Sequence, residues 1–383
     1  MTNNKLRVGV IFGGKSGEHE VSLVSAKNVM DAMDKNKYEI VPIGITKAGL
    51  WVSGSGVMQR LEDEAAMPPQ LAARAGDAPR SLIPFLDDSL LSTSLKTGTA
   101  KNATLRDLDL IFPVLHGPMG EDGTVQGFFE LADLPYVGCG VAASATAMDK
   151  ALAKDIFKAN GLPVLPHLTI LRKTWQRQPE TVIAEIEAAL TYPVFVKPAN
   201  MGSSVGINKV DNAAELRSAL DEAAQFDRRL LVEQGIAARE IEVSVLGNEA
   251  PIASVPGEIL PSREFYSYAA KYIDDASELL IPAPLTPAQS EACREMAVRA
   301  FQALDGAGLA RVDFLMDKES GQIYLNEMNT MPGFTAISMY PKLWEASGIS
   351  YSDLIDRLIE LALERHAEKQ QSNMANSEWR IDE

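Results

Sequence analysis

Short β-rich apolar runs alternate with stretches that carry apolar residues at helical spacing through the first third of the chain. Leu6 to Phe12 is such a run, Gly13 to Gly17 a turn, and Val21 to Met33 has the spacing of a helix. Tyr38 to Ile45 reads as a second strand, Leu108 to Val114 as a third, and Tyr136 as the start of a fourth. Strands alternating with helices predict an α/β unit with a mostly parallel sheet, whose ligands gather at the strand C-termini. Gly13-Gly14 and His116-Gly117 both fall at such an end. Between them, Ser53 to Lys101 is rich in Gly, Pro, Ser, Ala and charge without a sustained period, and is expected to be an insertion with little function of its own.

A second unit begins near Asp149. Lys150 to Asn160 has a helical pattern that stops at Gly161; Pro193 to Lys197 reads as a strand, Met201 to Gly206 as a Gly/Ser loop and Ile207 to Val210 as a strand again. Ala213 to Ala224 is a predicted helix and Leu230 to Glu233 a strand. From Glu240 a third unit shows strands at Ile241 to Leu246, Ala310 to Met316 and Gln322 to Met328. A closing helix runs from Ser352 to about His366, with Ser352 and Asp353 as N-terminal signals, and the tail after Glu368 is polar and expected to be mobile. No internal repeat is visible.

At 383 residues the chain is expected to form two or three domains. Its 46% hydrophobic and 23% charged residues are those of an ordinary globular protein. No apolar run has membrane-spanning length, and Met1 to Leu6 has no signal-peptide core, so a cytoplasmic protein without a membrane partner is expected. Cys139 and Cys293 are too few for a disulfide framework or a cysteine metal site. A net charge of −16 argues against a nucleic-acid partner.

GVIFGGKS, Gly9 to Ser16, matches the phosphate-binding pattern G-x-x-x-x-G-K-[ST]. A P-loop needs an irregular turn at its middle residues, yet three of them are Val10, Ile11 and Phe12. RVDF, Arg311 to Phe314, followed by YLNEMN, Tyr324 to Asn329, reads as an antiparallel hairpin. Arg311 and Asp313 share one face of the first strand, Glu327 and Asn329 one face of the second. With Met316 opposite Ile323, Asp313 comes beside Asn326 and Glu327, an all-oxygen set suited to Mg²⁺ carrying phosphates. The competing reading is a solvated hairpin with one ion pair. FVKPANMGSSVG puts Lys197 at a strand end before small residues that can close over phosphate, and Lys150 in MDK gains weight beside it. HGPMGEDG, residues 116–123, packs a histidine and two acids into a loop after a strand; a lone histidine there is either structural or ligand-binding. EFYSYAAKY, Glu264 to Tyr272, is either a cover for a core edge or a lid that excludes water.

Taken in order, GGKSGEHEVS, HGPMGEDG, MDK, VKPANMGSSVG, VEQGIAAREIEVSVLG, FYSYAAKY, ARVDF and NEMNTMPGFTAISMYP resemble the D-alanine–D-alanine ligases of the ATP-grasp superfamily, over roughly residues 6–350. The resemblance implies an ATP-grasp fold of class α/β, with a Rossmann-like N-terminal domain at 1–140, a central subdomain at 141–235, a C-terminal subdomain at 236–368 and a tail at 369–383. It implies ligation of two D-alanines through an acyl phosphate, with ATP as co-substrate and two Mg²⁺ ions, Mn²⁺ being able to substitute, in a homodimer. The P-loop match is then accidental. Glu18 would hold the first D-alanine's ammonium, with His116 nearby and Tyr272 reaching toward Ser203 and Glu18 from the lid. ATP would be held by Lys150, Lys197, Ser203, Ser204, Glu233, Gln234, Ile236 and Glu240, with Glu233 and Glu240 on the adenosine side. Gln234 stands where many relatives have lysine, so the resemblance implies an adenine contact there that is either weaker or backbone-mediated. The metal ions would sit on Asp313, Glu327 and Asn329, and Lys271 would help cancel phosphate charge. Arg311 and the Gly333 N–H would stabilise the oxyanion, while Ser338 and the Met339 backbone would take the second substrate's carboxylate. D-lactate makers generally lack the lid tyrosine, so a depsipeptide ligase is disfavoured, while D-serine as second substrate stays open. Outside the family, a P-loop nucleotide-binding protein and a non-catalytic binding protein of the same fold are the alternatives.

Overall fold

The computed structural model describes residues 5–54, 56–65, 108–202, 205–260 and 278–377. Three sheets organise the chain. In the first, β1 (Leu6–Gly13), β2 (Tyr38–Ile45), β3 (Trp51–Ser53) and β4 (Leu110–Val114) take the order β3-β2-β1-β4. The pairs β1·β2 and β1·β4 are parallel, and β3 closes the edge antiparallel to β2. The strand expected at Tyr136 is reduced to one parallel bridge with Ile111. The chain turns away at Gly138, whose φ of +103° no extended strand continues through.

The second sheet contains β5 (His167–Leu171), β6 (Val194–Pro198), β7 (Asn208–Val210) and β8 (Arg229–Gln234), ordered β5-β8-β6-β7 and antiparallel throughout. The third has β9 (Ala238–Gly247), β10 (Ile252–Ala253), β11 (Gly257–Leu260), β12 (Glu278–Leu280), β13 (Gly308–Asp317) and β14 (Ile323–Asn329). Its order is β12-β11-β9-β13-β14, with β10 on β9.

Helices α1 (His19–Ala32) and α2 (Val57–Ala65) serve the first sheet. Helix α2 lies at the start of the segment read as an insertion without a sustained period. Val57 and Leu61 are too few to show a period in sequence, yet both are buried in the core that α2 shares with the first sheet. The rest of that insertion, from residue 66 to residue 101, lies outside the described residues. Next come α3 (Thr124–Leu131), α4 (Val141–Met148), α5 (Lys150–Ala159), α6 (Arg172–Arg177), α7 (Pro179–Ala189) and α8 (Ala213–Phe226). The last three cover the central sheet with Trp175, Val182, Ile186, Leu216 and Leu220. Helix α9 (Pro287–Ala303) opens on a capping box, Thr286 with Gln289, and packs Cys293, Ala297 and Phe301 on the third sheet.

Packing crosses the expected boundaries at two places. Ala143, Ala147, Ala153 and Phe157 of α4 and α5 share a core with Ile241, Val243 and Val312 of the third sheet. After α10 (Met339–Ala346), helix α11 (Tyr351–Ser377) returns to the first sheet, where Leu354, Ile355, Leu358 and Ile359 pack with Val8, Val10, Leu110 and Phe112. Its start is set by Ser350 rather than Ser352: the Asp353 N–H donates to Ser350 Oγ at 3.2 Å, and that hydroxyl donates back to the Asp353 carboxylate at 2.8 Å. The helix also runs past the expected end, into the segment read as a mobile tail. Arg365 stacks over Tyr136 at 4.2 Å and Lys369 pairs with Glu130, so this polar stretch is anchored through charge rather than apolar contact. Among the described residues no helix is long and apolar enough to cross a membrane.

Candidate active site

The P-loop pattern is dissolved by β1 itself. Val10, Ile11 and Phe12 are fully buried in a strand paired on both sides, so their N–H groups serve the sheet. Lys15 is exposed, with its aliphatic stem against Gly49. No phosphate cradle forms, and Lys15→Ala is expected to retain most of the wild-type ADP release in a turnover assay.

What the turn does build is a seat for Glu18. Gly13 and Gly14, at φ of +92° and +100°, turn the chain off the strand end, and the Gly13 N–H donates to Ser22 Oγ at 2.7 Å. The buried Glu18 carboxylate follows. A Cβ on Gly117 would lie 2.7 Å from Glu18 Oε2, and one on Gly202 would lie 3.4 Å from the same oxygen. Loops from the first and second sheets therefore close on one carboxylate, and glycine lets both approach. Ser203 and Ser204, which follow Gly202, lie outside the described residues, as do Lys271, Tyr272 and the rest of the segment from Glu264.

His116 is buried with both ring nitrogens engaged inside the protein. Nδ1 is 3.0 Å from the Met331 carbonyl and 3.7 Å from the Glu121 carboxylate; Nε2 is 3.2 Å from Ser25 Oγ. Ser25 Oγ also accepts the Phe334 N–H at 3.2 Å. The histidine thus holds the Met331–Phe334 segment, which carries Gly333, against the first sheet. Burial disfavours its charged form, but the Glu121 and Glu18 carboxylates outweigh that and raise its pKa. Ser25 and Glu121 were not singled out in the sequence, although Glu121 stood within HGPMGEDG.

Helix α5 presents the lysines. Asp149 caps it, accepting from the Ala151 and Leu152 N–H groups at 3.1 and 3.0 Å, and is fixed by Arg229 at 2.7 Å. Lys150 Nζ donates to the Met201 carbonyl at 2.8 Å and lies 3.4 Å from Glu327 Oε2. Lys197 Nζ donates to Glu233 Oε2 at 2.7 Å, and Lys154 pairs with the other oxygen. Both Glu233 carboxylate oxygens therefore face ammonium groups. Burial alone would raise the Glu233 pKa, but Lys154 and Lys197 hold it down to about 2. The Gln234 amide is likewise occupied, accepting from the Thr191 N–H at 2.9 Å and donating to the Thr191 carbonyl at 2.7 Å. The Gln234 N–H donates to the Pro166 carbonyl at 2.9 Å, and Pro166 has no N–H to return. Ile236 follows half-buried, and Glu240 lies in β9 opposite Ile259.

On the third sheet the hairpin register is Met316↔Ile323, Arg311↔Asn329 and Asp313↔Glu327, with a bulge that skips Asn326. Arg311 holds both Asp313 oxygens at 2.7 Å, and Asn329 Nδ2 donates to Asp313 Oδ2 at 2.9 Å. Glu242 on β9, opposite Asp313, adds a carboxylate 3.0 Å from Arg311 Nε that the sequence reading missed. Its position follows only from pairing across some seventy residues. Two carboxylates and an amide suit a hard cation that completes its shell on phosphate oxygens. Among the described residues no group of three or more His, Cys, Asp or Glu forms a metal cage.

Ser338 precedes α10 but does not cap it. Its hydroxyl turns to Thr335, 3.0 Å from the N–H and 2.8 Å from Oγ1, leaving the first N–H groups of α10, Met339 among them, for an anion. The Met339 side chain is buried with Ile259 and Leu343, so only its backbone is available. A Cβ on Gly333 would lie 2.7 Å from Ser338 Oγ, which leaves no room for a side chain between these groups.

Two family descriptions match the chain: "D-ala D-ala ligase N-terminus" over residues 7–139 and "D-ala D-ala ligase C-terminus" over 156–360. The chain belongs to the D-ala D-ala ligase family. It is 53% identical over 369 residues to the D-alanine–D-alanine ligase of Heliobacterium modesticaldum, covering 96% of this chain and 97% of that protein. The ligase of Natranaerobius thermophilus is 48% identical over 98% and 99% of the two chains. Among solved structures, the D-alanine–D-alanine ligase from Coxiella burnetii superposes with a TM-score of 0.78 at 36% identity, over 97% of this chain and 98% of that one. VanG, the D-Ala:D-Ser ligase from Enterococcus faecalis, gives 0.77 at 37% identity over 94% and 100%. The ATP-grasp fold of these ligases is the fold of this chain.

The buried triad of this D-ala D-ala ligase family member carries a pH signature. Glu233 titrates near 2 when folded, below its ordinary 4.5, so its contribution is complete above 4.5 and is lost as the pH falls from there toward 2. Urea unfolding across that window is expected to show stability falling with pH, and a Glu233→Gln variant is expected to lack that share of the slope.

Proposed function

We propose that the chain joins two molecules of D-alanine into D-alanyl-D-alanine, a peptidoglycan building block, at the expense of ATP and in the cytoplasm. The observation that carries this reading is the register that sets Arg311, Asp313, Glu327 and Asn329 on one face of the third sheet, with Lys150 of α5 3.4 Å from Glu327. The Gly202 loop supports placing the phosphate ligands and the amino-acid seat in one site: the Met201 carbonyl accepts from Lys150, and a Cβ on Gly202 would lie 3.4 Å from Glu18 Oε2.

In the first step, a carboxylate oxygen of one D-alanine takes the γ-phosphoryl group, giving an acyl phosphate and ADP. Glu18 holds that D-alanine's ammonium. Lys150 and Lys197 oppose the repulsion between two anions. Mg²⁺ on Asp313, Glu327 and Asn329 would supply further charge neutralisation for the phosphates. In the second step the amine of the other D-alanine attacks the acyl carbon, the carbonyl oxygen becomes an oxyanion, and phosphate leaves. Arg311 and the Gly333 N–H are the donors toward that oxyanion, and Ser338 with the Met339 N–H receives the second carboxylate. Likeness to VanG supports a second reading, D-serine as acceptor. ADP release with D-alanine alone, L-alanine alone, and D-alanine with D-serine or D-lactate separates them. Turnover with D-alanine alone and a dipeptide product supports the main reading; turnover only with an added D-serine replaces it with the second, and no turnover with any D-amino acid overturns both.

A further inference from the structure

Lys154 lies one helical turn beyond Lys150 in KALAK, a pattern that reads as an exposed lysine pair. It is instead 1% exposed, and its ammonium meets Glu233, itself 1% exposed, on the side away from Lys197. Burial pushes the Lys154 pKa below that of an ordinary lysine, against the pull of Glu233. An ammonium is costly to bury, and an apolar chain of the same length could fill the space without that cost. The neighbouring contacts give the charge a use. One carboxylate between two ammonium groups leaves a net charge of +1, whereas Glu233 with Lys197 alone would be neutral. Lys154 also grips Glu233 through Oε1, so Oε2 is fixed where it orients Lys197.

We propose that Lys154 is a positioning residue of the nucleotide site: through Glu233 it orients Lys197 and keeps that ammonium's positive charge available to a phosphate. This rests on the ligase reading given above. The test is Lys154→Met in the full chain, with kcat and the KM for ATP and for D-alanine measured by ADP release, and folding followed by thermal unfolding. Lys197 keeps Glu233 paired in this variant, so a cooperative melting transition is expected. The KM for ATP is expected to rise about tenfold or more while the KM for D-alanine stays within about twofold. An unchanged KM for ATP, an equal rise in both constants, or loss of the melting transition would overturn the proposal, the last by making the triad purely structural. Wild-type protein that released no ADP would fail the ligase reading itself; Lys154 is then judged on MgATP affinity by calorimetry, where the same loss is expected and wild-type affinity in the variant refutes it.

Discussion

Lys197→Ala is expected to lower ATP turnover by about a thousandfold, equivalent to about 4 kcal/mol of transition-state stabilisation, while the protein stays folded. The fold survives because Glu233 keeps Lys154, so no lone charge is left inside. The activity does not, because Lys197, next to last in β6 and paired with Glu233, is the ammonium proposed to meet phosphate. Single-turnover ADP formation together with a melting curve checks both halves. Turnover that survives Lys197→Ala and vanishes with Lys15→Ala would return the nucleotide to the Gly9–Ser16 segment and refute the site.

Glu327→Gln is expected to reduce turnover by about a hundred- to a thousandfold at saturating Mg²⁺, the scale of losing one strong transition-state contact. The substitution keeps the shape of the side chain and its place opposite Asp313, so stability should change little. Its charge matters more than its shape. Glu327 faces Asp313 across the hairpin and lies 3.4 Å from Lys150, so its charge contributes both to the proposed cation site and to the balance of Lys150. A Mg²⁺ titration of ADP release should show a weakened dependence; wild-type activity in this variant would refute the metal assignment.

Much of this was legible in the chain. The hairpin around Asp313 and Glu327 could be read because alternation and a turn-rich link fix a register within one short segment. The bulge at Asn326, which puts Asp313 opposite Glu327, was not specified by that alternation. Lys154 was unreadable for a related reason: an i,i+4 lysine pair signals solvent, and only the approach of β8 against α5 gives it a carboxylate. Helix α2 was missed because two buried residues in nine make no period, and the destination of α11 because an amphipathic face does not say which sheet it covers. Glu18 was chosen through family resemblance, and the glycines that confirm how tightly it is enclosed, Gly117 and Gly202, come from loops far apart in sequence.

Phosphoryl transfer and amide formation in one site assembled from three sheets would tie the two products together. The most direct measurement is the ratio of ADP released to dipeptide formed by the wild-type protein with MgATP and D-alanine alone. One dipeptide for each ADP is the predicted result; ADP released without dipeptide, or no ADP at all, would contradict the account.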